Sequence, residues 1–230
     1  MNAPPEAPET ERERIRRGLL YCLRVFLSVR VGLWVLGLVA VALLPHPGPG
    51  VAEAVGIPPP VGVPGWDAAP ITHGWHNLVT AFERFDALWF LRIADTGYAA
   101  GDGSAAFFPL YPMVVRAFSW LLGGHPLAAG LLVSNLAFLG ALIVVYFLTA
   151  SERSEEAARR TVLYLAIFPT AFFFLAPYSE SLFLLLAMTA LWGARRERWW
   201  IAGVAGALAS GTRSLGVLLV LPLAVEAIHR

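Results

Sequence analysis

Between Leu19 and Leu44 the chain carries only two charged side chains, Arg24 and Arg30, in a run that is otherwise almost wholly apolar. A helix needs about 20 such residues to cross a bilayer. The run is also longer than the roughly 7–15 apolar residues of a signal peptide core. It is predicted to be an uncleaved first transmembrane helix. Arg12, Arg14, Arg16 and Arg17 lie just before it, which predicts a cytoplasmic tail over residues 1–18. Arg24 is close enough to that end to snorkel. Arg30 lies deeper, where packing, snorkelling and service to a site are all open roles.

The rest of the chain is built from the same material. Of 230 residues, 57% are hydrophobic and 14% charged, against about 25% charged in ordinary soluble domains. All 17 basic residues are arginine and the formal net charge is +1. No basic patch is interleaved with aromatics, so nucleic acid is not an expected partner. The single cysteine, Cys22, excludes an intrachain disulfide and a cysteine metal site.

Charge placement orders the remaining apolar runs. The prediction is an all-α polytopic membrane bundle, with spans at 19–44, 128–149, 161–176 and 181–194 and a broken hairpin at 199–228. Residues 45–127 form a large outer loop. Its first part, up to Pro70, is rich in proline and glycine, which favours loop. Phe107–Leu122 does not span in this reading. Spanning would place Arg153, Arg159, Arg160, Arg195, Arg196 and Arg198 outside, against the positive-inside rule. Only about 15 Å of helix fits between Pro112 and Gly123, so the segment is expected to lie flat at the outer interface. SERSEEAARR and RRER become cytoplasmic turns, and PYSES, residues 177–181, an outer one.

Four arginines are left over once topology has used the others: Arg84, Arg92, Arg116 and Arg213. Two of them fall in or beside FERFDALWFLRIADTGY, Phe82–Tyr98, which packs three carboxylates, two arginines and five rings into one stretch. Placed on a helix at about 100° per residue, Arg84, Arg92 and Asp95 share a solvated side. Asp86 falls among Trp89, Phe90 and Ile93. A carboxylate there is costly unless paired or used, and is a candidate general base; capping of the helix start is the other reading, and the two are compatible. FFPLYP, Phe107–Pro112, reads either as an interfacial aromatic belt or as a substrate wall. Glu180 stands at a helix start, where a carboxylate suits the dipole. Arg213, inside GTRSLG between two apolar helices, needs an anionic partner: a lipid phosphate, Glu180 or Asp86.

FDALWFLRIADTGY, FFPLYP, FPTAFFFLAPYSESLFLLL and AGVAGALASGTRSLGVLL resemble, in that order, the motifs of the PIG-V (GPI mannosyltransferase II-like) family of GT-C membrane glycosyltransferases. The resemblance runs from about Arg24 to Ile228. Where the family pattern usually has Trp-Asp, this chain has Phe85-Asp86. Family members continue through further transmembrane helices, so the chain is expected to be incomplete at its C-terminal end. The resemblance implies transfer of mannose from a polyprenyl-phosphate donor to an acceptor hydroxyl on a glycan, lipid or protein, on the outer or lumenal face, with inversion. It implies Asp86 as the catalytic base and Arg213, aided by Arg92 and Arg116, on the donor phosphate. Trp89, Tyr98, Phe108, Tyr111, Tyr178 and Glu180 are the expected substrate contacts. No cofactor is expected, and no cluster of ligands in the sequence supports a divalent metal. A non-catalytic paralogue, a GT-C enzyme using another sugar, and a lipid-sugar transporter are the alternatives; the last would be favoured by inverted repeats, and the sequence has no internal repeat.

Overall fold

The computed structural model describes residues 10–43, 62–67, 77–80 and 82–229. Residues 1–9 of the expected tail over 1–18, and most of the proline-rich loop before Pro70, lie outside the described residues; residues 11–18 of the tail are helical. Those described are mostly helical, with no strand and one isolated bridge between Val63 and Trp66. The α-helices are α1 (Glu11–Leu43), α2 (Asn77–Thr80), α3 (Asp86–Thr96), α4 (Leu110–Leu121), α5 (Pro126–Glu152), α6 (Glu155–Ile167), α7 (Glu180–Arg195), α8 (Trp199–Ser210) and α9 (Val220–Ile228).

Two of these, α1 and α5, are long and apolar enough to cross a membrane. Leu27, Val31, Val35, Leu36 and Leu43 of α1 are exposed, as expected of a helix whose solvent is lipid rather than water. α5 is the central strut. It packs against α1, α4, α6 and α7, and α7 in turn packs against α8. One buried cluster gathers Leu91, Tyr111, Val115 and Val133 near the start of α5. The other gathers Cys22, Phe138, Leu142 and Val162 towards its end.

The structure corrects several expected boundaries. The run Thr161–Ala176 is not one helix. α6 stops at Ile167, Phe168 is extended before Pro169, and a 3₁₀ segment follows over Pro169–Phe174; a residue before proline is pushed out of the α region. SERSEEAARR is mostly helical, shared between α5 and α6, with Ser154 capping α6 by accepting from the Ala157 amide at 3.1 Å. Phe82–Phe85 is a turn, and helix begins only at Asp86.

The break after α6 frees backbone carbonyls inside the core, and polar side chains take them up. Arg30 Nη2 donates to Phe174 O at 2.9 Å and its Nε to Asn135 Oδ1 at 2.6 Å. Asn135 Nδ2 donates to Leu131 O at 2.7 Å and Leu175 O at 3.2 Å. Ser181 Oγ donates to Phe174 O at 3.1 Å. The Arg30 guanidinium also lies over the Phe26 and Phe138 rings. Of the roles left open for Arg30, the observed one is to tie α1 to the segment that leads into α7.

The break at GTRSLG is observed. α8 ends at Ser210, and a 3₁₀ segment over Ser214–Leu219 folds back before α9. The return is tight: a Cβ on Gly216 would lie 2.4 Å from Ala209 and Ser210 backbone atoms.

Gly216→Ala should lower the unfolding temperature in detergent, at a cost of about 1–3 kcal/mol for the overpacked contact. Gly203→Ala, where an added Cβ meets nothing within 4 Å, should leave it unchanged or raise it, because alanine is the better helix former. Arg30→Met should destabilise by about 1–3 kcal/mol through the polar partners it abandons; an unchanged melting profile would mean those groups are satisfied without it.

Candidate active site

The site is built where three breaks in the helical path meet. Pro109 and Pro112 occupy positions at the start of α4 where a helix has no need of an amide donor. The Leu110 amide, an orphan of that first turn, instead donates to Gly211 O at 2.9 Å. This bond docks FFPLYP onto the corner of the α8 hairpin. The aromatic wall is completed from α3: Trp89 stacks on Phe107 at 5.4 Å, and Phe90 meets Phe107 edge-on at 5.3 Å and Tyr111 at 5.0 Å.

Between these pieces lies a hollow of about 180 Å³ lined by Asp86, Phe90, Phe107, Phe108, Ser179, Glu180, Thr212, Arg213 and Ser214. Asp86, Glu180 and Arg213 come from α3, α7 and the α8 hairpin corner. Arg213 Nη1 and Glu180 Oε1 form an ion pair that is part-buried. The second Glu180 oxygen is buried and has no hydrogen-bond partner. Of the two carboxylates the sequence offered Arg213, it is Glu180 and not Asp86 that pairs with it.

Asp86 is exposed, not buried among rings. It is the first residue of α3, so no preceding turn covers it, and a helical wheel drawn through Phe82 misplaces it. The turn before it is strained. Phe85 holds φ 53°, and the residue is 82% exposed; positive φ in a bulky residue is uncommon and clusters at functional sites. The Asp86 side chain opens into the hollow at the dipole-positive end of α3, beside the Glu180–Arg213 pair.

The other expected contacts divide. Phe108 lines the hollow. Tyr178 stands behind it, its hydroxyl donating to Arg84 O at 3.1 Å and its carbonyl accepting from Ser134 Oγ at 3.2 Å. Burial pushes the Tyr178 phenol up to about 12, with the negative charges of Asp86 and Glu180 adding to the shift. It stays a donor and holds the Arg84 turn just ahead of Asp86. Tyr111 is buried and shares a 2.8 Å hydrogen bond with Ser134 Oγ. Trp89 is the outer face of the wall, and Tyr98 donates to Phe107 O at 3.0 Å.

Arg92 and Arg116 do not line the hollow, and the expectation that Arg92 shares a solvated side with Asp95 is overturned. Arg92 is only 7% exposed, with Nη2 2.5 Å from Asp102 Oδ2. The loop after α3 folds back over that face to bring Asp102 there. Hydrogen bonds from Ser104, with Arg92 beside it, hold the Asp102 carboxyl below the usual carboxylate range. Arg116 Nη2 donates to Asp95 O at 3.0 Å, closing the C-terminal turn of α3. Sequence reasoning missed Phe90 as a site wall, and also Ser179, Thr212 and Ser214; adjacency to Glu180 and Arg213 was the available signal for the last three. Among the described residues no group of three or more metal-ligating side chains is present.

Comparison with known proteins places the chain in a family. The family described as Mannosyltransferase (PIG-V) matches residues 66–230, a range that holds every residue of the hollow. The chain is 32% identical to the GPI alpha-1,6-mannosyltransferase 2 of Mus musculus over 172 residues, 70% of this chain and 34% of that protein. The protein of the same name from Rattus norvegicus is 32% identical over 155 residues, 62% of this chain and 31% of its own length. That from Homo sapiens is 29% identical over 156 residues, 63% and 31%. The chain thus spans about a third of the length of the curated relatives it matches. No solved structure matches. On the family match across most of its length, the chain belongs to the PIG-V mannosyltransferase family.

Proposed function

We propose that the chain is a membrane mannosyltransferase that moves mannose from a polyprenyl-phosphate donor to an acceptor hydroxyl at the outer or lumenal surface, with inversion. The observation that carries the reading is the convergence of Asp86, Glu180 and Arg213 from three distant segments on one aromatic-walled hollow. In this reading the fold is a GT-C-like polytopic bundle, and α3 and α4 lie at the outer interface. Orientation is supported by charge: Arg195 and Arg196 sit at the end of α7 remote from Glu180, and arginine collects on the cytoplasmic side.

Asp86 takes the proton from the acceptor hydroxyl. The freed oxygen attacks the anomeric carbon, the bond from that carbon to the phosphate oxygen breaks, and the lipid phosphate leaves with the electron pair. Arg213 faces the charge that grows on the leaving group, where a fixed cation has most effect, and its planar fork fits phosphate oxygens. Glu180 keeps Arg213 aimed in the absence of donor, and the incoming phosphate competes with it for the guanidinium. The hollow is small, so it encloses the reacting end of the donor while the polyprenyl chain stays in the bilayer. Arg92 and Arg116 act indirectly, by tying the C-terminal half of α3 to the loop that follows it and to α4.

The test is transfer of radiolabelled mannose from polyprenyl-phosphate mannose. Asp86→Asn should lower it by about 10²–10⁴-fold, the range for a lost general base. Because Asp86 is exposed and the N-cap position belongs to Phe85, only the small helix-dipole contribution is lost and the unfolding temperature should change little. Transfer at the parent rate by Asp86→Asn would refute the assignment.

A further inference from the structure

A second and larger hollow, about 450 Å³, lies at the opposite end of α7 from Glu180. It opens between the first turns of α1, the last turns of α5 and the last turns of α7. Ile15, Ile143, Val144, Phe147 and Trp192 give it apolar walls, and Arg14 and Arg196 stand at its rim. Neither guanidinium is paired with a carboxylate among the described residues. Of the two acids on the lining, Glu155 lies 3.7 Å from Arg17. Glu11 is in the first turn of α1, where the helix dipole is its partner.

Tyr146 supplies an independent observation. It lines the hollow and is buried, and its hydroxyl has no hydrogen-bond partner. A buried polar group is normally satisfied. The ring is held in place by an edge-on contact with Phe147 at 5.3 Å, by Tyr21 at 6.2 Å and by the closeness of Gly18, where a Cβ would come within 2.5 Å of the ring. The hydroxyl therefore cannot swing out to find a partner.

We propose that this hollow binds an anionic glycerophospholipid. Its phosphate lies between Arg14 and Arg196, and an ester or phosphate oxygen accepts from the Tyr146 hydroxyl. One acyl chain runs over Ile143 and Phe147. A lipid fits better than a soluble phosphate because the walls are apolar and the site sits at the ends of α1 and α5, the two helices of spanning length; headgroups lie at that level and clustered arginines attract anionic ones. The proposal is independent of the catalytic reading and depends only on the chain's residence in a bilayer.

The test is native mass spectrometry of the purified chain in detergent, titrated with phosphatidylglycerol and, separately, phosphatidylcholine. Phosphatidylglycerol should be retained preferentially. The double variant Arg14→Ala/Arg196→Ala should weaken that retention roughly tenfold or more. Arg12→Ala/Arg16→Ala removes the same charge from exposed positions outside the hollow and should not. Tyr146→Phe, which keeps the ring and removes only the orphan hydroxyl, should weaken phosphatidylglycerol retention without lowering the unfolding temperature. Equal retention of the two lipids, equal losses in the two double variants, or undiminished binding by Tyr146→Phe would each overturn the proposal.

Discussion

A chain that stops being helical inside an apolar core must find new partners for the carbonyls it releases. This requirement shapes the molecule more than any other. α6 ends at Ile167, and the path to α7 is a 3₁₀ segment and a turn. Arg30, Asn135, Ser134 and Ser181 take up the carbonyls of Phe174, Leu175 and Tyr178. A buried arginine without a carboxylate partner is costly, yet here its neighbours are carbonyls, an amide and two aromatic faces. The cost is offset because the irregular segment is fixed to α1 and α5, and that fixes where Glu180 emerges.

The second consequence is that polar groups near the hollow fall into two sets. The Arg92–Asp102 pair, the Arg116 bond to Asp95 O and the Tyr178 bond to Arg84 O are spent on holding α3 and its flanking turns. Glu180, Arg213 and Asp86 open into the hollow, with the hairpin corner that carries Arg213 docked by the Leu110 amide on Gly211 O. The catalytic proposal rests on the second set, and precise placement of that set depends on the first.

Much of this was legible in the sequence because length and charge are strong signals. Of the expected span 19–44, residues 19–43 fall inside α1, Ala128–Thr149 falls inside α5, and GTRSLG breaks the last apolar run at Arg213. Glu180 as the first residue of a helix was also legible from PYSES. The failures share a cause: they concern where a helix starts, or contacts with residues outside it. A wheel through Phe82–Tyr98 assumes that the helix includes Phe82. The strained turn at Phe85 starts it at Asp86 and leaves that carboxylate open. Arg92 looked solvated because its partner, Asp102, comes from the loop beyond α3. The stop before Pro169 had a local signal, the Phe-Pro step itself, but the apolar run on both sides outweighed it.

The central claim is that PYSES and GTRSLG form one site through Glu180 and Arg213. A double-mutant cycle on thermal stability and mannose transfer, with Glu180→Gln, Arg213→Gln and the pair together, addresses it most directly. The account predicts strong coupling: the double variant should be little worse than the worse single one, since each single change already removes the shared contact. Simple additivity in both readouts would mean that the two residues act separately, and the hollow would lose its claim to be the active site.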